Sequence, residues 1–187
     1  MRADFNVVLD ACVLANFGVC NLLLNLAEKP RLFLPRWSDE LLQETERVHL
    51  NELDWPPHLA ASFQREIRSH FPEAMVVEYQ HLIERCTNDP KDRHVLACAI
   101  HSQSEVILTF NLSDFPTSAL QPWKVAALHP QAYLLTLYAI DPVVVLHKLE
   151  AIAQKRKLSL EDHLIDLGRF VPVFAQKVLE ALGDGAL

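Results

Sequence analysis

Half of the 187 residues are hydrophobic, enough for one ordinary domain with a sizeable core and a small appendage. The net charge of −7 argues against the extended basic grip of a general nucleic-acid binder, but it does not exclude a nuclease, because carboxylates gathered around divalent cations look acidic when the metals are left out of the count. The apolar runs are too short and too punctuated to span a bilayer, and Asp4 and Asp10 interrupt the stretch that a signal peptide would keep apolar, so a cytoplasmic protein is expected. The four cysteines (Cys12, Cys20, Cys86 and Cys98) form no C-x-x-C pair and the nine histidines no H-x-x-x-H pair, so neither a zinc site nor a histidine cage has support. Cys12 and Cys98 read as small core residues.

In chain order, residues 5–9 (FNVVL) form a first apolar strand ending at Asp10. Residues 11–16 start a turn or helix, and Asp10 taken alone reads equally well as an N-cap. Leu22, Leu23, Leu24, Leu26 and Ala27 continue helically until Lys29-Pro30 stops them. Leu32-Phe33-Leu34 is a second short strand, closed by Pro35. Ser38 caps the next helix, with Asp39 and Glu40 in its first turn. Leu41, Leu42, Thr45 and Val48 supply its inward face. Glu44 lies three residues after Leu41 and four before Val48, so it borders that face and points towards the sheet edge, while Glu40, Glu46 and Arg47 read as a solvated, salt-bridging face.

A break at residues 53–57 precedes an amphipathic helix over 58–70, with Leu59, Phe63 and Ile67 spaced by four. Met75-Val76-Val77 is a candidate third strand, and residues 79–83 a short helix. Asn88-Asp89-Pro90 is a turn signal, and Asp92 then heads a helix whose buried stripe is Val95, Leu96, Ala99 and Ile100. Val106-Ile107-Leu108 follows as a short buried strand, leading into Thr109, Asn111 and Asp114. Residues 124–128 make a fifth strand, and His129-Pro130 opens a helix through Tyr138. Beyond it only helices are expected, opened by Asp141-Pro142, Ser159 and Pro172, the last ending at Gly183. Val144, Val145, Leu149, Ile152, Phe170 and Phe174 give these helices apolar faces too large to leave exposed. The expected division is therefore residues 1–139, and a helical extension over 140–187 packed on them.

Alternating strands and helices imply an α/β fold: a short parallel sheet of about five strands with helices on both faces. Parallel strands place their carboxyl ends on one edge, where ligands bind. Asp10, Asn111 and Asp114 follow strands, Asp92 starts a helix at that edge, and Glu44 joins them from mid-helix. Each acid has a plain alternative as a cap, a turn former or a surface charge. Their convergence does not: two carboxylates about 4 Å apart repel by roughly 4 kcal/mol at an effective dielectric near 20, so such a cluster calls for a cation. Oxygen ligands without His or Cys suit Mg²⁺ or Mn²⁺. A phosphatase using aspartate as nucleophile would want a second Asp two residues after Asp10, where Cys12 stands. Asn16 is a candidate phosphate contact, and Lys91, Arg93, Arg36 and Arg31 are candidate backbone contacts that read more readily as ordinary solvated charges. No aromatic platform in a basic groove is evident.

These residues fall in the segments VVLDACVLAN, SDELLQETERV, DPKDRHVLACA and TFNLSDFP, and in that order the chain resembles the PIN-domain nucleases, in particular the VapC-like ribonuclease toxins. The resemblance covers roughly residues 5–130, and the helical C-terminal part resembles the extension of one PIN subgroup. It implies a PIN-like three-layer fold and an acidic Mg²⁺ site built from Asp10, Glu44, Asp92 and Asp114. It further implies cleavage of single-stranded RNA by water attack, with Thr109 and Asn111 positioning the water or a carboxylate. A cognate antitoxin is implied as partner, and a homodimer is left open. Two departures stand out: the chain is longer than a minimal VapC toxin, and Asn111 occupies a place where many PIN nucleases have an acid. Either Asp114 supplies the fourth carboxylate, or one metal is held firmly and a second weakly. The competing reading is a catalytically weak PIN scaffold that acts through protein binding.

Overall fold

The computed structural model describes residues 5–183; Asp4 lies outside them. Four parallel strands form one sheet: β1 (Asn6–Leu9), β2 (Leu34–Arg36), β3 (Val106–Leu108) and β4 (Ala126–Leu128), in the order β2-β1-β3-β4. β1 is central, and Val7, Val8 and Leu9 are buried as a strand covered on both faces requires. Between β1 and β2 run α1 (Ala11–Ala15) and α2 (Phe17–Ala27), broken at Asn16, whose extended backbone ends one helix while its side chain caps the next. After β2 come α3 (Asp39–Asn51) and α4 (Pro57–His70), and α5 (Arg93–His101) leads into β3.

The sheet has four strands where about five were expected. Met75 makes a single parallel bridge to Trp37, and its segment does not extend into a strand. The second strand also lies two residues later than expected. Pro35 sits inside it, opposite Val7, instead of closing it. β2 is an edge strand on that side of the sheet, and an edge is where a residue without an N–H is tolerated. The short helix expected over 79–83 is a 3-10 stretch, Gln80–Arg85. Leu59 is 44% exposed and does not share the inward face of α4 with Ile67.

α6 (Thr117–Leu120) bridges β3 and β4, and α7 (Pro130–Ile140) follows β4. The last helices are α8 (Pro142–Arg156), α9 (Leu160–Leu167) and α10 (Pro172–Gly183). Asp141 caps α8 through a 3.0 Å bond to Val144 N, and Ser159 caps α9 through one to Asp162 N. α8 and α9 pack on α2, and α10 packs on α7. Val145, Leu149, Ile152, Leu164, Val171 and Phe174 join the same apolar core as β1 and β3. Phe170, by contrast, is 47% exposed. Among the described residues no single helix is long and apolar enough to cross a membrane; α7 and α8 together have the length, but they meet at 118°.

A core continuous from β1 to α10 should unfold as one unit. Leu149→Ala, at a fully buried position, should cost about 2–5 kcal/mol, and Val143→Ala, on the exposed face of the same helix, less than about 0.5 kcal/mol. Urea unfolding followed by fluorescence checks this; two separate transitions, or equal effects of the two variants, would contradict it.

Candidate active site

The chain order 2-1-3-4 reverses direction between β1 and β3, and the crevice beyond the carboxyl ends of such a strand pair is where α/β sheets bind ligands. A cleft of about 750 Å³ opens there, and Asp10, Asn16, Glu44, Asp92, Asn111 and Asp114 all line it. The sheet edge thus gathers every acid expected at the site. Of the three remaining candidates, Asn16 and Asn111 reach the cleft, whereas Thr109 lies fully buried behind it.

Asp10 is 3% exposed and held at both carboxylate oxygens. Ala11 N donates to Oδ1 at 2.7 Å. The Thr109 hydroxyl donates to Oδ2 at 2.7 Å, and the Cys12 thiol to the same atom at 3.2 Å. Thr109 Oγ1 in turn accepts from Asn111 N at 2.9 Å, so one hydroxyl sets both the Asp10 carboxylate and the turn that carries Asn111. Burial nevertheless pushes the Asp10 carboxyl above the ordinary range, and the charge of Glu44 adds to that; the three hydrogen bonds oppose it without reversing it. Cys12 is half-buried at the cleft and not in the core as expected. Burial first, and then the Asp10 charge, push its thiol up to about 12, so it serves Asp10 as a donor and is no nucleophile at neutral pH.

Asp92 immediately precedes α5, but its side chain makes no capping bond. The plain reading of this residue as a helix cap therefore loses its support. Burial raises its carboxyl to about 6, with the charges of Asp10 and Asp114 as the next causes. Asp114 ends a 3-10 turn, Leu112–Asp114, and its carbonyl accepts from Asp89 N at 3.1 Å, which ties the β3 exit to the turn before α5.

Glu44 projects from the flank of α3, whose buried face carries Leu41, Leu42, Thr45 and His49. Its Oε2 is 3.2 Å from His94 Nε2, and its Oε1 is 3.7 Å from Arg47. The His94 contact lies within hydrogen-bond distance, though its angle is poor, and Glu44 acts on the ring both as an acceptor facing it and as a charge. Burial disfavours a charged His94, but the carboxylates of Glu44 and Glu40 and the Lys91 carbonyl outweigh it and hold its pKa above the ordinary value. The sequence reading missed His94. Its only signal there was a histidine two residues after a site aspartate, which is indistinguishable from a helix surface residue until α3 is docked beside it.

Of the proposed cationic contacts, Lys91 lines the cleft. Arg93 instead turns to the Asn88 carbonyl, and Arg36 to Asn6 and the Glu73 carbonyl; neither they nor Arg31 line it. Arg47, read from the sequence as a solvated charge, does.

Among the described residues no group of three or more His, Cys, Asp or Glu stands close enough to form a ready-made metal cage. The donor set is still one that a hard cation takes. All the donors are carboxylate oxygens, and two of them resist ionisation partly because of neighbouring acids, Asp10 because of Glu44 and Asp92 because of Asp10 and Asp114. Mg²⁺ keeps several of its own waters, so its ligands need not close up around it.

A parallel sheet with an acidic cleft at its switch point defines a carboxylate-site α/β domain. The chain belongs to the PIN domain family: residues 3–113 match the PIN domain model, a span that holds Asp10, Glu44, Asp92 and Asn111 and stops one residue short of Asp114. It is VapC-like, being 38% identical over 117 residues to a Mycobacterium tuberculosis protein named "Putative ribonuclease VapC50", with 60% of this chain and 69% of that protein covered. No solved structure matches.

The Asp92 carboxyl, near 6 in the fold against 3.8 in the unfolded chain, carries a signed consequence. Between those values the folded chain binds a proton that the unfolded chain releases, so the penalty is complete above about pH 6 and fades as pH falls towards 4. Asp92→Asn should therefore melt higher than wild type in EDTA at pH 7.5. After solvent screening of this partly exposed group the gain should be about 1 kcal/mol, or about 2–4 °C, and it should shrink at pH 5. Calorimetry at the two pH values checks this; a variant that melts lower at both would place Asp92 apart from the other acids.

Proposed function

We propose that this chain is a metal-dependent endoribonuclease, the toxin of a toxin–antitoxin pair. The observation that carries this reading is the meeting of Asp10, Glu44, Asp92 and Asp114 in one cleft, where Asp10 and Asp92 are disfavoured as anions without a cation. The similarity to a VapC-named ribonuclease supports RNA as substrate and an antitoxin as partner.

In this reading Asp10, Glu44 and Asp92 hold Mg²⁺, or Mn²⁺ in its place, directly or through water, and Asp114 assists. The metal, when bound, acidifies a water and neutralises charge on the phosphate. The remaining work falls to the chain. Thr109 and Cys12 lock the rotation of the Asp10 carboxylate, so it meets its ligand without reorganising. Asn16 spends its carbonyl oxygen on Val19 N and keeps its NH₂ for a phosphate oxygen. Asn111, anchored through its backbone to Thr109, places its amide beside the attacking water. Lys91 and Arg47 give the acidic cleft two cations for the RNA backbone. Attack by water leaves a 5′-phosphate and a 3′-hydroxyl and makes no use of the 2′-hydroxyl.

One observation favours a second reading, a catalytically weak PIN scaffold: no compact three-residue cage stands among the described residues. A cleavage assay separates the two. Purified protein with RNA should cut in Mg²⁺ or Mn²⁺ and stop in EDTA, and Asp10→Asn should lose at least about 100-fold in rate while keeping its circular dichroism. Cutting that survives full chelation, or an undiminished Asp10→Asn variant, would defeat the metal site; no cutting under any metal would favour the scaffold.

A further inference from the structure

Asp10 and Asp92 stand beside the sheet edge because of where they fall in the chain, Asp10 directly after β1 and Asp92 directly before α5. Glu44 does not. It projects from the middle of α3, on a flexible three-carbon side chain that is 28% exposed, and nothing in its own helix aims it inward. Arg47, one turn on and 66% exposed, pairs with it at 3.7 Å, but an exposed pair of this spacing is worth little and fixes no geometry.

His94 is built differently. Its side chain is only 5% exposed. Nδ1 lies 2.9 Å from the Lys91 carbonyl, which can only accept, so this nitrogen carries a hydrogen and the ring plane is set by the backbone of the turn before α5. The opposite nitrogen then faces Glu44 at 3.2 Å. A rigid ring, anchored in one element, reaches the mobile acid of another. The Glu44 charge that this contact retains in the cleft acts on Asp10.

We propose that His94 is a positioning residue: anchored on the Lys91 carbonyl, it keeps the Glu44 carboxylate facing Asp10, so that a divalent cation is shared between α3 and the sheet edge. This rests on the metal-dependent reading above. His94 touches no substrate in this role, so its loss weakens cation binding and turnover and spares the affinity for RNA.

Two substitutions separate the two ends of the ring. His94→Asn keeps an amide donor near Nδ1, towards Lys91, and loses the one facing Glu44. His94→Gln reaches towards Glu44 and gives up the Lys91 bond. Mn²⁺ affinity is measured by titration calorimetry on the full chain, kcat and KM with a fluorogenic RNA, and folding by melting in EDTA. His94→Asn should bind Mn²⁺ about tenfold more weakly and lose kcat by a similar factor with KM unchanged, and His94→Gln should stay within about threefold of wild type. In a Glu44→Gln background, His94→Asn should cause no further loss of Mn²⁺ affinity. Wild-type Mn²⁺ affinity in His94→Asn, equal impairment of His94→Gln, or additive losses in the double variant would overturn the inference. Should His94→Asn fail to fold, His94→Gln decides, and a Mn²⁺ affinity about tenfold below wild type overturns it. A wild-type chain that binds Mn²⁺ but cuts no RNA would sink the ribonuclease reading alone, and the titrations would still decide the role of His94. A wild-type chain that binds no Mn²⁺ would overturn both.

Discussion

The hydrogen bond from Thr109 Oγ1 to Asp10 Oδ2, 2.7 Å long and fully buried, joins the ends of two neighbouring parallel strands. Everything else in the cleft is hung around it. It crosses the switch point of the sheet, where β1 hands the chain to one side and β3 to the other. It opposes the burial that pushes the Asp10 carboxyl above its ordinary range, without reversing it. The same hydroxyl accepts from Asn111 N, so the turn carrying Asn111 and Asp114 inherits its position from the bond. A serine could make the hydrogen bond, but threonine also fills the wall behind it with a methyl group and is stiff at χ1.

The second constraint is charge. Five carboxylates line one cleft, Glu52 with the four site acids, and the chain itself sets His94, Arg47 and Lys91 against them. The compensation is uneven. Glu44 has two cationic neighbours, whereas Asp10 is held by hydrogen bonds, and at Asp92 the pull of His94 is weaker than burial and the charges of Asp10 and Asp114. The unpaid charge (the larger part of it on Asp10 and Asp92) sits where the sheet edge is deepest. Repulsion of this kind is what a divalent cation would relieve, and it is the electrostatic ground of the metal-dependent reading proposed above.

The C-terminal helices contribute to this only indirectly. α8 and α9 cover α2, the helix that Asn16 caps, and α10 covers α7, which follows β4. Their buried residues merge with the sheet's own core, and they place no side chain in the cleft. They support the platform from which the site projects.

Sequence alone determined the acids and the alternation. Asp10 after a β-branched run, Asp92 heading an apolar helix, and Asn111 and Asp114 after a second run are all marks of strand ends, and a parallel sheet brings strand ends together whatever else the chain does. Glu44 was legible because helical spacing places it beside the apolar stripe of α3. What only the tertiary structure decided depends on how elements dock. A register shifted by two residues put Pro35 inside a strand, because an edge strand has an outward side that needs no N–H. Met75 found one bridge and no ladder. Cys12, apolar by its neighbours, reached the cleft because α1 is a single short helix that turns its first residues towards Asp10. His94 became a partner of Glu44 only when α3 and α5 met. Periodicity reports which face of an element is buried; it carries no record of which side chain from a distant element will be waiting there.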